Sequence, residues 1–257
     1  MKLLKLLIVI ILVSVFSVAK GQDDDSLPWD TIAEYITRAQ KSDTNPKNQM
    51  YNMILAADNV LSKSVTSYET YVAVYQYLIS GFSELGANMV VDYLVRVPYL
   101  EYLNADDEQR SHILDIAESY NRVKIGSEAP EIQSITVFGK DFDLYDIDKK
   151  YTVVLFWSYS CPHCRNLLKE LAGFASKHKD VAVVTVNVSG DSRQVKKLIK
   201  KSGLKKQYNI YEENGWDSAI VENYAVDMTP SLFLLDENKV IIAKPFDFDE
   251  VIEIVDL

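Results

Sequence analysis

Cys161 and Cys164, separated by two residues, are the side chains of this sequence whose type and spacing best fit a chemical reaction. A continuous apolar run over residues 151–157 predicts a buried strand just before them, and residues 162–177 predict a helix that begins between them. Cys161 then falls at the helix N-terminus, where unpaired backbone N–H groups and the helix dipole stabilise an anion. This position favours the thiolate, which is the reactive form of a thiol.

The two residues between the cysteines fit the same chemistry. Pro162 suits the first helical turn, where a missing N–H does no harm, and a protonated His163 would favour the Cys161 thiolate further. Cys164 lies one turn along the same helix face, close enough to close a disulfide with Cys161. We therefore predict that Cys161 attacks a partner disulfide and that Cys164 resolves the mixed disulfide.

Two other roles for this cysteine pair are less favoured. A purely structural disulfide would close a loop of only four residues, which constrains the unfolded chain little. A metal site needs two more ligands, but His163 is held between the cysteines, and His112 and His178 are distant in sequence. A C-x-x-C pair that follows a strand in an α/β pattern is typical of a redox-active dithiol. We predict no metal site.

Composition excludes several other classes of protein. The chain has 257 residues, of which 48% are hydrophobic and 25% charged, and this mixture is typical of a globular protein. Its formal net charge of −10 does not favour a nucleic-acid partner. Two cysteines are too few for a disulfide-rich scaffold or a four-cysteine metal centre.

Residues 1–21 are typical of a secretory signal peptide. Two lysines precede an apolar stretch of 14 residues, Leu6–Ala19, which is shorter than the roughly 20 residues of a membrane-spanning helix. We expect cleavage before Gln22, with a competing site after Ala19, and the alternative is a retained N-terminal membrane anchor. Cleavage would change the net charge from −10 to −13 and leave no stable membrane span. The mature protein is expected in the periplasm or elsewhere outside the cytoplasm, where disulfide chemistry can persist.

The remaining chain divides into two domains by pattern. Residues 22–125 predict an all-α domain, and Gly126 with Pro130 marks the start of a second domain, residues 126–257. The expected helices of the first domain begin near Pro28 and at Pro46, and then cover 67–85, 87–103 and 106–122, with Pro98 kinking or breaking the fourth.

The second domain alternates strands with helices, which predicts an α/β fold with a partly parallel sheet. The expected strands are 151–157, 181–188, 209–211, 231–235 and 240–244, the last two forming a hairpin. The expected helices are 162–177, 192–201, 216–224 and 247–255.

Residues 126–257 resemble a thioredoxin-fold domain of the extracytoplasmic TlpA/ResA-like group. The motifs that carry the resemblance are Gly126-x-x-Ala129-Pro130, Gly139-Lys140, the run Val154–Ser158 leading into Cys-Pro-His-Cys, and Thr229–Asp236. The resemblance implies that the Thr229-Pro230 bond is cis, that it faces the cysteines, and that Thr229 contacts the substrate backbone. Tyr159 is a further candidate for substrate contact. The helical N-terminal half resembles that of some secreted bacterial thioredoxin-like proteins.

Two departures from the resemblance concern the direction of electron flow. Leu155 stands where thioredoxins have a buried aspartate, and Ile135 stands where reductive relatives often have a glutamate. Either acid could accept a proton from the resolving cysteine. The tetrapeptide Cys-Pro-His-Cys is also that of the oxidising DsbA family, whereas the surrounding pattern resembles the reductive group. The direction, reductase or oxidase, therefore stays open.

The prediction is an extracytoplasmic thiol-disulfide oxidoreductase that needs no cofactor beyond its Cys161–Cys164 disulfide. Its partners are cysteine-containing protein substrates and a redox partner protein. The alternatives are a non-catalytic binding or assembly protein that uses the helical domain, and a thiol peroxidase. A basic run, Lys196–Lys206, is interpreted as a solvated helix face, with docking of an acidic partner as the alternative.

Overall fold

The computed structural model describes residues 29–97, 99–245 and 247–256, which divide into two compact units. The first unit ends at Asn121 and the second begins at Arg122. The predicted signal peptide with its cleavage sites, Pro28 and Pro98 lie outside the described residues. Within the described ranges, no helix is long and apolar enough to cross a membrane.

The first unit is helical, as the sequence predicts. Its helices are α1 (Trp29–Lys41), α2 (Pro46–Ser64), α3 (Tyr68–Glu84), α4 (Asn88–Leu94) and α5 (Asp107–Arg122). Asn45 caps α2 by accepting a hydrogen bond from the backbone N–H of Lys47, and Ser67 caps α3 by accepting one from Thr70. These caps satisfy N–H groups that a helix start leaves unpaired.

The fourth helix is shorter than the sequence predicts. It ends at Leu94 rather than near Leu103, and only a 3₁₀ turn, Leu100–Tyr102, follows. Proline disfavours helical geometry at the residue before it, and Val97 has a left-handed φ of 50°. The guanidinium group of Arg110 donates to the carbonyl oxygens of Leu100 and Leu103 at 2.9 and 2.8 Å, so tertiary contacts hold this irregular segment.

The second unit contains a five-stranded sheet and a separate hairpin. The hairpin joins β1 (Gln133–Ile135) and β2 (Asp141–Asp143), which the sequence did not predict as strands. The sheet has the order β5-β4-β3-β6-β7 and is built from β3 (Tyr151–Trp157), β4 (Val181–Asn187), β5 (Tyr208–Tyr211), β6 (Ser231–Leu235) and β7 (Ile241–Ala243). Strands β3, β4 and β5 are parallel, whereas β6 runs antiparallel to both β3 and β7.

The α-helices in the described part of this unit are α6 (Pro162–Lys177), α7 (Ser192–Ser202), α8 (Ala219–Asn223) and α9 (Phe248–Val255). The single helix predicted over 216–224 is in fact a 3₁₀ turn, Gly215–Asp217, followed by α8. Ser218 separates the two because its hydroxyl accepts a hydrogen bond from the N–H of Val221 and starts a new helix.

The sheet is buried on both faces, which explains the continuous apolar sequence of β3. Val153, Leu155 and Trp157 belong to an apolar cluster with Leu168 and Leu171 of α6. The intervening residues of β3 face a second cluster on the other side of the sheet. The carboxyl ends of the three parallel strands meet at one edge, and β3 leaves the sheet there to enter α6.

Candidate active site

Cys161 is the N-cap residue of α6, as its sequence position predicts. Strand β3 ends at Trp157, and three residues connect it to Cys161. The Sγ atom of Cys161 accepts a hydrogen bond from the backbone N–H of Cys164 at 3.4 Å. The side chain is half-buried, so its sulfur faces the otherwise unpaired N–H groups of the first turn and can still be reached. Such a position stabilises negative charge on the sulfur.

Cys164 is buried one turn further along α6, and both cysteines are free thiols. The pKa of the Cys164 thiol is raised to about 12, mainly by burial and secondly by its hydrogen bond with Cys161. Hydrogen bonds with the backbone of Ser158 and the side chain of Thr229 act in the opposite direction. The two sulfurs therefore have different chemistry: Cys161 can meet a substrate, and Cys164 is a shielded, protonated thiol.

Thr229 and Pro230 lie beside the cysteines. The Thr229-Pro230 peptide bond is cis, as the resemblance implies. Pairing of Ser231 with Phe156 places this segment next to the end of β3. The thiol of Cys161 donates to the carbonyl oxygen of Thr229 with a sulfur–oxygen distance of 3.6 Å. Sheet pairing thus brings together residues that are 68 positions apart in the chain.

A cluster of hydroxyl groups holds the segment that precedes Cys161. The Oγ of Ser158 lies 2.8 Å from that of Ser160 and 2.5 Å from that of Ser189, and the backbone N–H of Tyr159 donates to Ser189 Oγ at 3.2 Å. Gly190 follows with a φ of 99°, and a Cβ there would lie 2.7 Å from the Cβ of Tyr159. The loop after β4, residues 188–191, therefore supports the loop that leads into the helix at Cys161, residues 158–161, here called the cysteine loop.

Ser189 and Gly190 were not predicted from the sequence as site residues. Their only signal is a pair of small residues directly after a strand. Of the predicted residues, Tyr159 is half-buried against Gly190, whereas Pro162 and His163 are exposed.

The positions of the two missing acids differ in their surroundings. Leu155 is fully buried and belongs to the same apolar cluster as Cys164. Ile135, by contrast, is 63% exposed at the end of β1. Among the side chains that the structure describes, no Asp or Glu is fully buried, although partial burial raises the pKa of Glu212. Over the same ranges, no three His, Cys, Asp or Glu side chains are grouped so as to hold a metal ion.

Comparison with known proteins agrees with this geometry. The sequence model of the AhpC/TSA family matches residues 125–244. The thiol-disulfide oxidoreductase ResA of Bacillus cereus is 26% identical over 125 residues, which are 48% of this chain and 70% of that protein. ResA of Bacillus thuringiensis subsp. konkukian is 26% identical over 123 residues, 47% of this chain and 69% of its own length.

A solved structure extends the similarity to both units. The thioredoxin-like protein from Bacteroides caccae ATCC 43185 matches with a TM-score of 0.62 at 13% identity, covering 92% of this chain and 86% of that one. The second unit is a thioredoxin-like domain. The predicted fold class, a helical region followed by this domain, is thereby confirmed. The relatives are named thiol-disulfide oxidoreductases, and they support the enzyme class predicted from the sequence.

Proposed function

We propose that this protein is an extracytoplasmic thiol-disulfide oxidoreductase that exchanges disulfides with cysteine-containing protein substrates through Cys161 and Cys164. The observation that carries the proposal is the contrast between these sulfurs. Cys161 is accessible at a helix N-terminus, whereas Cys164 is buried in hydrogen-bond contact with it. A nucleophile that substrates can reach and a shielded resolving thiol are what disulfide exchange requires.

In the reductive direction, the Cys161 thiolate attacks one sulfur of a substrate disulfide. A mixed disulfide forms, and the other substrate sulfur leaves as a thiolate. Cys164 then gives up its proton and attacks the Cys161 sulfur, which releases the second substrate thiol and forms the Cys161–Cys164 disulfide. Two electrons and the Cys164 proton pass to the substrate, and water supplies the second proton that makes both substrate sulfurs thiols. The oxidative direction is the reverse, and neither direction needs a bound cofactor because a redox partner protein resets the pair.

The raised pKa of Cys164 makes its deprotonation the demanding step. Since no Asp or Glu belongs to the apolar cluster around Cys164 and none is fully buried among the described side chains, we infer that the departing substrate thiolate takes the Cys164 proton. The hydrogen bond from the side chain of Thr229 lowers the pKa of Cys164 and so assists this step. Thr229 and cis-Pro230 also border Cys161, and they can receive the substrate backbone.

The mature protein is proposed to begin at Gln22, after removal of residues 1–21, and to act in the periplasm or another compartment outside the cytoplasm. The apolar stretch after two lysines supports this placement. N-terminal sequencing of protein recovered from each cell fraction tests it. An N-terminus at Gln22 in the extracytoplasmic fraction is expected, and an intact Met1 in the membrane fraction would instead indicate a retained anchor.

The reduction potential of the Cys161–Cys164 pair tests the proposal. Residues 22–257 are equilibrated with glutathione buffers, and the oxidised fraction is measured. A potential near about −120 mV indicates a donor of disulfides, and one near about −270 mV indicates a reductant. Absence of reversible exchange, with full function of a Cys161→Ser, Cys164→Ser variant in the cell, would favour the binding-protein alternative. Peroxide consumption that depends on Cys161 would favour the peroxidase alternative.

A further inference from the structure

One helix of this acidic protein presents only positive charge to solvent. Helix α7 and the 3₁₀ turn after it carry seven cationic side chains, here called the basic face: Arg193, Lys196, Lys197, Lys200, Lys201, Lys205 and Lys206. All are exposed except Lys196, which is half-buried with its Nζ 5.3 Å from the centroid of the Phe138 ring. No Asp or Glu occurs in residues 192–211, although the whole chain has a net charge of −10.

The basic face carries repulsion that the described part of the protein does not neutralise. Three pairs of like charge stand four positions apart on α7, at 193/197, 196/200 and 197/201, and such pairs destabilise a helix. The ion pair between Arg38 and Glu34 and the contact between His178 and Asp256 involve none of these cations. Lys200 and Lys201 lie in the last turn of α7 and interact favourably with the helix C-terminus, but Arg193 and Lys196, nearer its N-terminus, do not gain this benefit.

The basic face begins beside the cysteine loop. Ser189 and Gly190 contact Tyr159, and α7 starts two residues after Gly190. Val195 and Ile199 pack into the apolar cluster that contains Cys164, so the charged side chains of α7 must point outward. The helix has 11 residues and extends about 16 Å from this end. When a substrate is held at Cys161, the segment that flanks its reactive cysteine can therefore lie along the basic face.

The chemistry of the basic face favours an acidic polypeptide over other anions. Val195 and Ile199 of α7 are buried and Leu198 is half-buried against the same apolar cluster, which leaves no exposed aliphatic side chain to insert into a lipid bilayer. Helix α7 also has no aromatic side chain on which a base could stack. The net charge of the whole protein also opposes approach to an extended polyanion. A short acidic segment can contact the basic face without approaching the acidic remainder of the protein.

We propose that the basic face selects substrates in which an acidic segment flanks the reactive cysteine. This proposal rests on the proposed function, because it assigns a substrate class to the same Cys161 site. The expected effect is faster association, since a surface of one charge steers an oppositely charged partner by a factor of roughly 10 to 1,000 at low salt.

Two synthetic peptides with an intramolecular disulfide test the proposal, one flanked by glutamates and the other by glutamines at the same positions. The second-order rate constant for oxidation of the reduced protein is measured by quenching with acid and quantifying thiols. At an ionic strength of about 0.01 M, where the Debye length is about 30 Å, the glutamate peptide is expected to react about tenfold faster. At about 1 M the ratio is expected to approach one because the charges are screened.

A triple variant, Lys197→Gln, Lys200→Gln and Lys201→Gln, is expected to lose most of this preference and keep its rate with the glutamine peptide. The matched control is Lys149→Gln, Lys150→Gln and Lys179→Gln, with the same change in net charge. These lysines are exposed next to the amino ends of β3 and β4, the opposite end of the strands from Cys161. The control is expected to keep the preference of the wild type.

Equal rates with the two peptides would overturn the proposal, as would a preference that the α7 triple variant retains. Binding of the wild type, but not this variant, to phosphatidylglycerol vesicles without any peptide preference would assign the basic face to a membrane and also overturn it. Failure of both peptides to react would be a different result, because it would contradict the proposed disulfide exchange itself.

Discussion

The backbone N–H of Cys164 points at the sulfur of Cys161, with 3.4 Å between nitrogen and sulfur, although the two side chains have opposite surroundings. Cys161 is half-buried at the start of α6, and Cys164 is fully buried. One helical turn therefore separates a sulfur that can meet a substrate from one whose pKa is raised to about 12 by burial. This difference in accessibility and pKa predicts that Cys161 reacts with the substrate first and that Cys164 reacts second.

The same difference predicts that an alkylating reagent modifies Cys161 but not Cys164 in the native protein. At pH 8, a thiol with a pKa of about 12 is ionised in only on the order of 10⁻⁴ of molecules, and burial also blocks the reagent. Iodoacetamide is expected to modify the reduced native protein once, at Cys161, and twice after unfolding in guanidinium chloride. Intact mass and peptide mapping give the count and position. Native Cys161→Ser protein should remain unmodified, and rapid labelling of Cys164 in it would contradict the assignment.

Replacement of the resolving thiol should trap the reaction midway. Cys164→Ser retains the nucleophile but cannot release the substrate, so a mixed disulfide between Cys161 and a substrate cysteine is expected to accumulate. Non-reducing electrophoresis followed by mass spectrometry measures it. Cys161→Ser is the matched control and should form no adduct. Equal adduct yields from the two variants would mean that either sulfur can attack first.

The support of the cysteine loop by the loop after β4 can be tested at two glycines with similar backbone geometry. Gly190 and Gly126 have φ values of 99° and 93°, so alanine at either is expected to cost about 1–2 kcal/mol of folding free energy. Only at Gly190 would the new Cβ also press on Tyr159, because nothing lies within 4 Å of the Cβ position at Gly126.

Gly190→Ala is therefore expected to slow the reaction of Cys161 with a disulfide severalfold, whereas Gly126→Ala leaves this rate unchanged. Urea unfolding and stopped-flow exchange with a glutathione disulfide measure the two effects separately. If both variants lose stability equally and react like the wild type, the loop after β4 does not position the cysteine loop.

The sequence predicts the parts of this site that local interactions determine. A buried strand, a C-x-x-C pair and a proline in the first turn are sufficient to place Cys161 at the start of a helix and Cys164 on the inner side. The contribution of Ser189 depends on the pairing of β3 with β4, which brings together residues about 30 positions apart, and no local pattern reports this. The early end of α4 has a similar cause, since the segment after it is held by Arg110.

The burial of Lys244, the residue directly after β7, can be tested by the pH dependence of stability. Burial lowers the pKa of its ammonium group to about 8, with Asp227 opposing the shift, and its Nζ lies 5.5 Å from the centroid of the Phe233 ring. A lysine whose pKa is depressed on folding binds fewer protons in the folded state than in the unfolded state between its two pKa values. The contribution of Lys244 to the free energy of unfolding therefore rises as the pH increases from about 8 to about 10.5, and it is lowest below about pH 8.

Lys244→Met removes this titration. At pH 7 the variant is expected to be more stable than the wild type by about 3 kcal/mol, and the difference should narrow as the pH approaches 10.5. Urea unfolding of both proteins across this range gives the difference, in which the titration of all other groups cancels. Parallel stability curves for the two proteins would show that Lys244 keeps an ordinary pKa.

The absence of a buried acid beside Cys164 can be tested by supplying one. Leu155 is fully buried in the apolar cluster that contains Cys164, so Leu155→Asp places a carboxyl group there whose pKa burial must raise. Leu155→Asn is the matched control, because it has the same size and polarity but no group that accepts a proton at neutral pH. Both variants are expected to lose about 2–4 kcal/mol of folding free energy, since each buries a polar group in an apolar site.

Only the aspartate variant should resolve a mixed disulfide faster than the wild type. Its rate should rise as the pH increases through the raised pKa of the new carboxyl group, because the ionised form accepts the Cys164 proton. Single-turnover release of a peptide thiol from a preformed Cys161 mixed disulfide measures this step. If the aspartate and asparagine variants resolve it equally fast at every pH, deprotonation of Cys164 does not limit the reaction, and the departing thiolate alone is an adequate proton acceptor.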